Sequence, residues 1–182
     1  MRKKTPLKLL FTLAFLMIPI EIVKASIEPL TLEKMLSYSD GCIVGKITSK
    51  KGYLANIPTL GQIVITKLTI EGKEILTGKK KSVEVAYLGG SADGVSIQVS
   101  NQPPDRETTP GNKVLVFYYY DKVFNANMII AQLGGIFMIQ KGPLGDVVIG
   151  KGVGSAVPRN ILLNNLENKI KAIKPAKREE KK

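Results

Sequence analysis

Residues 114–120 read VLVFYYY, an unbroken run of apolar and aromatic side chains. A strand with one solvent-facing side alternates apolar and polar residues, whereas this run is apolar on both of its faces. Such a pattern is typical of a strand buried on both sides. We therefore expect Val114 to Tyr120 to form the central and most buried strand of a sheet.

The segments on either side of this strand carry the period-two alternation of half-buried antiparallel strands. They are residues 43–47, 62–70, 83–87 and 95–99 before it, and residues 128–133 and 136–139 after it, around a bend at Gly134-Gly135. A turn-rich stretch, 49–61, separates the first two, which we expect to pair as a long hairpin. Residues 101–112 are rich in proline and polar side chains and are expected to be a loop.

About seven short strands at hairpin spacing favour a small barrel or sandwich. We expect residues 41–140 to make a closed or nearly closed antiparallel barrel. Its core contributors should include Val95, Ile97, Val99 and Val114 to Phe117.

Two helices are expected to flank the strands. Leu32, Met35 and Leu36 have helical spacing behind Thr31, which is a plausible N-cap. A glycine-rich connector over 141–157 leads to a second, amphipathic helix over 158–174. Its apolar positions are Leu162, Leu166, Ile170 and Ile173. Residues 175–182 are basic and acidic with nothing to bury, so we expect a disordered tail.

The first 25 residues have the order of a cleavable secretory signal peptide. Arg2 to Lys4 precede an apolar run from Leu9 to Ile18, and Val23 and Ala25 supply small side chains before a cleavage point. The apolar run is shorter than the roughly 20 residues that a membrane-spanning helix needs. We expect an exported protein, periplasmic or extracellular, that begins near Ser26 and has no transmembrane segment after cleavage.

The chain is basic, with 27 Lys and Arg against 15 Asp and Glu. Removing residues 1–25 takes away five basic residues and one acidic residue, which leaves a net charge of +8. The basic excess therefore belongs to the mature domain and predicts an anionic partner. Export makes nucleic acid an improbable partner, so an anionic envelope component or a protein is expected.

The chemistry of most active sites is absent from this sequence. There is no histidine and only one cysteine, Cys42, so Ser-His and Cys-His nucleophile pairs and the commonest metal ligand are missing. Cys42 stands in an apolar run and is expected to be a buried core thiol. Residues 145–152 have the glycine spacing of a phosphate-binding loop but end in Gly where a magnesium-binding Ser or Thr is required. We expect no catalytic residue, no metal and no cofactor.

Four carboxylates in predicted turns and loops leave a second function open. They are Asp93, Asp105, Glu107 and Asp121. Two converging carboxylates suffice for a hydrolase, because such enzymes need only an acid and a base a few ångströms apart. A carboxylate-dependent hydrolase acting on an envelope polymer is therefore the alternative to a binding protein. The opposing interpretation is that each Asp caps its own turn.

Lysine clusters and the tyrosines of 114–120 are the candidate ligand contacts. They comprise Lys79, Lys80 and Lys81 before the third strand, together with Tyr118 and Tyr120, which share one face of their strand. Basic loops beside aromatic side chains are typical of barrels that bind linear polymers. The alternative interpretation is that the tyrosine strand belongs to the hydrophobic core and that the lysines are only solvated surface residues. The sequence thus favours an exported, non-enzymatic binding or interaction module of the cell envelope.

Short glycine and hydrophobic motifs occur in a characteristic order along residues 30–140. They are Gly45 within Ile43 to Ile47, Gly89-Gly90 with Gly94, Pro103, Gly111 before Val114 to Phe117, and Gln132 followed by Gly135 and Phe137. This order resembles a family of uncharacterised exported bacterial domains with an OB-like small β-barrel. The chain departs from that pattern at Asn112, where the family usually has Glu, and in extra residues between Gln132 and Phe137.

The resemblance implies an architecture and lends no activity. It is a mainly β fold, a small antiparallel OB-like barrel with a short N-terminal helix and a C-terminal amphipathic helix, whose barrel domain covers residues 26–140. A more distant likeness is to netrin and TIMP-type barrels, although this chain lacks their cysteines.

Overall fold

A computed structural model describes residues 30–57 and 61–173. The helices are α1 Leu32–Tyr38, α2 Asp105–Thr108 and α3 Leu163–Ala172, with a 3-10 turn at Gln132–Gly135. The strands are β1 Gly41–Ile57, β2 Gly61–Glu74, β3 Lys80–Leu88, β4 Gly90–Ala92, β5 Val95–Ile97, β6 Lys113–Asp121, β7 Ala126–Ile129, β8 Ile136–Gly142, β9 Gly145–Val148 and β10 Ile161–Leu162. The predicted signal peptide and the predicted basic tail lie outside the described residues.

Five strands close into a barrel in the order β1, β2, β3, β7, β6 and back to β1. Closure depends on β1, which pairs with β2 along one edge and, through its first residues, with β6 along the other. The β3–β7 contact is parallel, and the remaining barrel pairs are antiparallel. The predicted small, mainly β, OB-like barrel with two flanking helices is confirmed.

The VLVFYYY run forms the central strand, β6. It pairs with β1 on one side and with β7 and β8 on the other, and Val114 to Phe117 are fully buried. Val114 and Val116 point into the barrel, while Leu115 and Phe117 point outward into a second core. Both faces of the strand are apolar because each face has a core of its own.

The second core fills the space between the barrel wall and the layer formed by α1, α3 and β8. Met35 and Leu36 of α1 and Leu166 and Ile170 of α3 pack in it. Thr31 caps α1 as predicted, because its side chain accepts a hydrogen bond from the Lys34 N–H at 3.3 Å. No helix among the described residues is both long and apolar enough to cross a membrane.

The hairpin of β1 and β2 is longer than the sequence indicated. Residues 49–57, predicted to be turn-rich, continue β1 as far as Ile57 and pair with β2 throughout. An irregularity in register between Ile47 and Ser49 inserts Thr48 as an extra residue. A bulge reverses the inward and outward alternation of the residues that follow it. A search for a continuous period-two pattern therefore ends the strand at the bulge.

The prediction that Val95, Ile97 and Val99 contribute to the barrel core is wrong. β5 pairs only with β4 in a separate two-stranded sheet, and all three side chains are half-buried. This small hairpin packs against the extended part of β1, where a side chain at Gly52 would clash with the Ser91 carbonyl. An alternating pattern shows only that one face of a strand is covered. Here that face is covered by a neighbouring hairpin instead of by the barrel interior.

Two further segments differ from expectation. The glycine-rich connector contains β9, which pairs with β8 and β10, and α3 begins at Leu163 and not near residue 158. The loop before α3 is held by the Gly150 N–H donating to Asn160 Oδ1 at 3.0 Å, so the chain forms a turn before the helix can begin. A single helical turn, α2, interrupts the predicted loop 101–112.

Candidate functional site

An open groove of about 850 Å³ lies on the outer surface of the barrel, bounded by β1, β2 and β3 and by the first turns of α3. We call it the lysine groove. Its basic lining residues are Lys46, Lys73, Lys80, Lys81 and Lys113, and Gly45 and Gly72 also line it.

The register of the barrel brings these lysines together in opposed pairs. Lys46 of β1 lies directly opposite Lys113 of β6. Lys73 of β2 lies directly opposite Lys80 of β3. Like charges in directly opposed positions on antiparallel strands are destabilising. On its other side Lys46 is opposite Glu71, which also lines the groove.

One lysine of each pair is neutralised by a carboxylate. Lys73 Nζ lies 2.7 Å from Glu167 Oε2, and Lys113 Nζ lies 2.5 Å from Asp146 Oδ2. The other two lysines, Lys46 and Lys80, are exposed and form no salt bridge within the part of the chain that the structure describes. The groove therefore presents ammonium groups with unused hydrogen-bonding capacity.

The predicted ligand contacts fall into two groups. Lys80 and Lys81 line the groove, whereas Lys79 lies in the turn before β3 and does not. Lys81 Nζ donates to Tyr118 Oη at 2.7 Å and sits 5.5 Å from the centre of that ring. Tyr118 is buried, so it supports Lys81 and offers no ring to a ligand. Tyr120 is half exposed near the end of β6, where its hydroxyl contacts Asn125.

The candidate carboxylates are spread over separate connections. Asp105 and Glu107 of α2 are engaged by different lysines, and Asp121 accepts a hydrogen bond from the Val123 N–H at 2.8 Å in the β6–β7 turn. Asp93 stands in the β4–β5 turn with a positive φ of 50°. Among the described residues, no three His, Cys, Asp or Glu side chains are grouped closely enough to hold a metal ion.

Two lysines attach α2 to the rest of the molecule. Lys50 Nζ contacts Asp105 Oδ1 at 2.6 Å and Thr108 Oγ1 at 2.9 Å. Burial lowers the pKa of Lys50, but the hydrogen bond to Asp105 and the nearby Asp105 and Tyr87 outweigh it, so the pKa is raised. Lys151 Nζ reaches Glu107 Oε2 at 2.5 Å, where both side chains are largely buried. Burial lowers the pKa of Lys151 in spite of that partner.

Cys42 lies in the second core and is fully buried. Burial, assisted by the negative charge of Glu74, raises the pKa of its thiol to about 12. A thiol with so high a pKa is almost entirely protonated at neutral pH, and the thiolate is the nucleophilic form. The interpretation of Cys42 as a core residue agrees with this environment.

Sequence reasoning missed Lys46, Lys73 and Lys113 as members of the site. Each is isolated in the sequence, whereas Lys79 to Lys81 attract attention as a run. The hairpin register would have revealed the Lys73–Lys80 pair, because both residues flank the same β2–β3 turn. No local signal could have revealed the Lys46–Lys113 pair, which exists only because β1 closes onto β6.

Comparisons of the chain with protein-family models, with curated proteins and with solved structures find no significant match. Function is therefore inferred from the residues and geometry of the chain itself.

Proposed function

We propose that this protein is an exported, non-enzymatic binding module of the cell envelope, and that it holds an anionic envelope component in the lysine groove. The observation that carries the proposal is the pair of opposed lysines on each side of the groove, Lys46–Lys113 and Lys73–Lys80. An anion bound over the sheet would be held by Lys46 and Lys80, the members of the two pairs that neighbouring carboxylates leave free among the described residues.

The energetics favour a functional origin for these pairs. A cross-strand pair changes stability by roughly 0.2–1 kcal/mol, and directly opposed like charges lie on the unfavourable side. A ligand oxyanion would accept charge-assisted hydrogen bonds from the lysines, and such bonds are about twice as strong as neutral ones. Lys46 and Lys80 are the ammonium groups available for such bonds, because Glu167 and Asp146 already hold the other two lysines.

Export is supported by the sequence alone. The basic, apolar and small-residue order of residues 1–25 is that of a signal peptide, and the mature chain keeps a net charge of +8. The resemblance to uncharacterised exported domains agrees with this location. Nucleic acid is uncommon outside the cytoplasm, so the expected ligand is an anionic envelope polymer or an acidic surface of a protein partner.

The test measures binding of the mature protein, residues 26–182, to immobilised polygalacturonate as an anionic probe. We expect the affinity to fall steeply between about 0.1 M and about 1 M salt, because the screening length falls from about 10 Å to about 3 Å. Lys46→Ser and Lys80→Ser should each weaken binding. Lys169→Ser removes the same charge from the other side of α3, outside the groove, and should have little effect.

Equal losses in all three variants would show that net charge, and not the groove, is responsible. Binding that is indifferent to salt and to Lys46→Ser and Lys80→Ser would refute the proposal.

A further inference from the structure

A second opposed pair of lysines lies on the same outer surface, farther along the β1–β2 hairpin. Lys51 of β1 is directly opposite Lys67 of β2. Again one member is neutralised, because Lys67 Nζ lies 2.7 Å from Glu84 Oε1. Lys51 is exposed and forms no salt bridge within residues 30–57 and 61–173. The arrangement found in the lysine groove is thus repeated.

An exposed aromatic ring stands between these two lysines. Tyr53 keeps 39% of its surface exposed, although it lies in the middle of a paired strand. Its ring centre is 5.3 Å from Lys51 Nζ and 5.2 Å from Lys67 Nζ. The ring attracts both ammonium groups through cation–π interactions, and Lys67 is in addition neutralised by Glu84. We call Tyr53, Lys51 and Lys67 the tyrosine site.

The tyrosine site and the lysine groove share one face of the sheet. Along β2, alternate residues from Lys67 to Lys73 face outward, while Leu68 and Ile70 point into the barrel. The bulge at Thr48 reverses the alternation of β1, so that Lys51 and Tyr53 face the same side as Lys46. At about 3.3 Å per residue, the six-residue interval along β2 separates the two sites by about 20 Å.

We propose that the lysine groove and the tyrosine site form one continuous track, and that the ligand is a linear acidic polysaccharide lying along the outer face of the β1–β2 hairpin. This inference rests on the proposed function and specifies its ligand. Anionic groups of the polymer would be held at both ends of the track, and one sugar ring would pack on Tyr53.

The polar residues between the two sites favour a polysaccharide. Thr69, Glu71 and Glu84 lie on the outer face between the lysines. A hydroxyl group and carboxylates there can bond to sugar hydroxyls. Single-stranded nucleic acids are held by successive stacked aromatic rings. Tyr53 is the one aromatic side chain on the described part of this track.

The experiment measures the affinity of the mature protein for galacturonate oligomers of increasing length. We expect affinity to rise until an oligomer reaches both sites, and then to level off. Tyr53→Ala and Lys51→Ser should weaken binding of the longest oligomers about tenfold or more, because the second contact is lost. The same variants should leave binding of a galacturonate dimer unchanged. Tyr53→Phe keeps the ring and should retain most of the affinity.

The outcomes separate this inference from the proposed function. If Lys80→Ser weakens binding and Tyr53→Ala does not, the groove binds anions but the track is wrong. If oligothymidylate binds more tightly than the oligomers and depends on Tyr53, the ligand class is wrong. If no lysine variant alters binding, both proposals fail. Far-ultraviolet circular dichroism of each variant, matching that of the unmodified protein, ensures that lost binding is not lost folding.

Discussion

At the scale of single residues, two glycines allow the barrel to close beside the groove. Gly45 of β1 and Gly72 of β2 are directly opposite each other. A Cβ atom at Gly72 would clash with the carbonyl oxygen of Val44, and one at Gly45 would clash with that of Glu71. The two strands therefore approach more closely than side chains would permit. This lets β1 bend from β2 toward β6, and it leaves the lysines on either side around an open floor.

Val116, at the centre of β6, is the position that we expect to be least tolerant of a charged side chain. It is fully buried inside the barrel, among the side chains of several strands. We predict that Val116→Asp unfolds the domain, because an unpaired buried charge costs several kcal/mol against a typical total stability of about 5–15 kcal/mol. Urea denaturation followed by circular dichroism measures the effect.

A matched control for this prediction is Val123→Asp, since Val123 is 66% exposed in the β6–β7 turn. Its free energy of unfolding should hardly change. A Val116→Asp protein with a cooperative transition near that of the unmodified chain would contradict the assignment of β6 as the central strand.

At the scale of elements, the short helix α2 depends on tertiary contacts. Four residues cannot form a stable helix by themselves, because the first hydrogen bond of a helix must fix about six dihedral angles and nucleation is therefore unfavourable. Here Asp105 is held by Lys50, and Glu107 by Lys151. The two lysines come from β1 and from the segment after β9, so α2 links the barrel to the second layer. The Glu107–Lys151 contact is the more buried of the two.

The buried Lys151 predicts a pH dependence of stability. Its pKa in the folded state lies below the ordinary value of 10.5, because burial disfavours the charged form. Between the folded-state pKa and 10.5 the unfolded chain binds more protons, so stability should rise with pH. We predict that the free energy of unfolding increases toward pH 10.5 relative to a Lys151→Met variant, which lacks this proton.

Urea denaturation of both proteins between neutral pH and 10.5 measures the difference. Groups common to the two proteins, including Lys50, cancel in the comparison. A difference that stays constant with pH, or that shrinks, would mean that Lys151 titrates normally or is stabilised in its charged form.

At the scale of the whole molecule, two cores share the central strand, and the lysine groove opens beside the second core, because Val44 and Leu163 belong to that core and also line the groove. The barrel interior is closed by apolar side chains, and the second core is sealed by α1 and α3. The opposed lysines of β1 and β2 lie on the outer face of the β1–β2 hairpin, on the stretch between the buried residues Val44 and Ile65. The buried apolar residues are concentrated on β6, and the charged residues of the groove lie on the outer faces of β1, β2 and β3 and at the start of β6.

The prediction at this scale concerns the start of the mature chain. We expect cleavage after Ala25, because Val23 and Ala25 have the small side chains that signal peptidases require and the apolar run before them is short. Intact-mass measurement of the protein recovered from an exporting host should give a chain that begins at Ser26. Ala25→Lys is the control and should block processing. A membrane-bound form that retains residues 1–25 would overturn the prediction.

Local patterns were sufficient for the fold class of this protein. The VLVFYYY run gave the central strand, the spacing of Leu32, Met35 and Leu36 gave α1, and Val114 to Phe117 were correctly placed in the core. These features depend on which faces of a single element are apolar, and that information lies within a few consecutive residues.

The tertiary structure alone decided where the charged side chains meet. Thr48 shifts the alternation of β1, which sends Lys50 inward to Asp105 and brings Lys51 to the outer face. Closure of β1 onto β6 places Lys46 opposite Lys113, which is far away in sequence. Register and closure are set by packing between distant segments, because a shift of one residue moves every side chain to the other face. The composition of the chain therefore predicts a basic protein, and only the fold assembles its lysines into a groove.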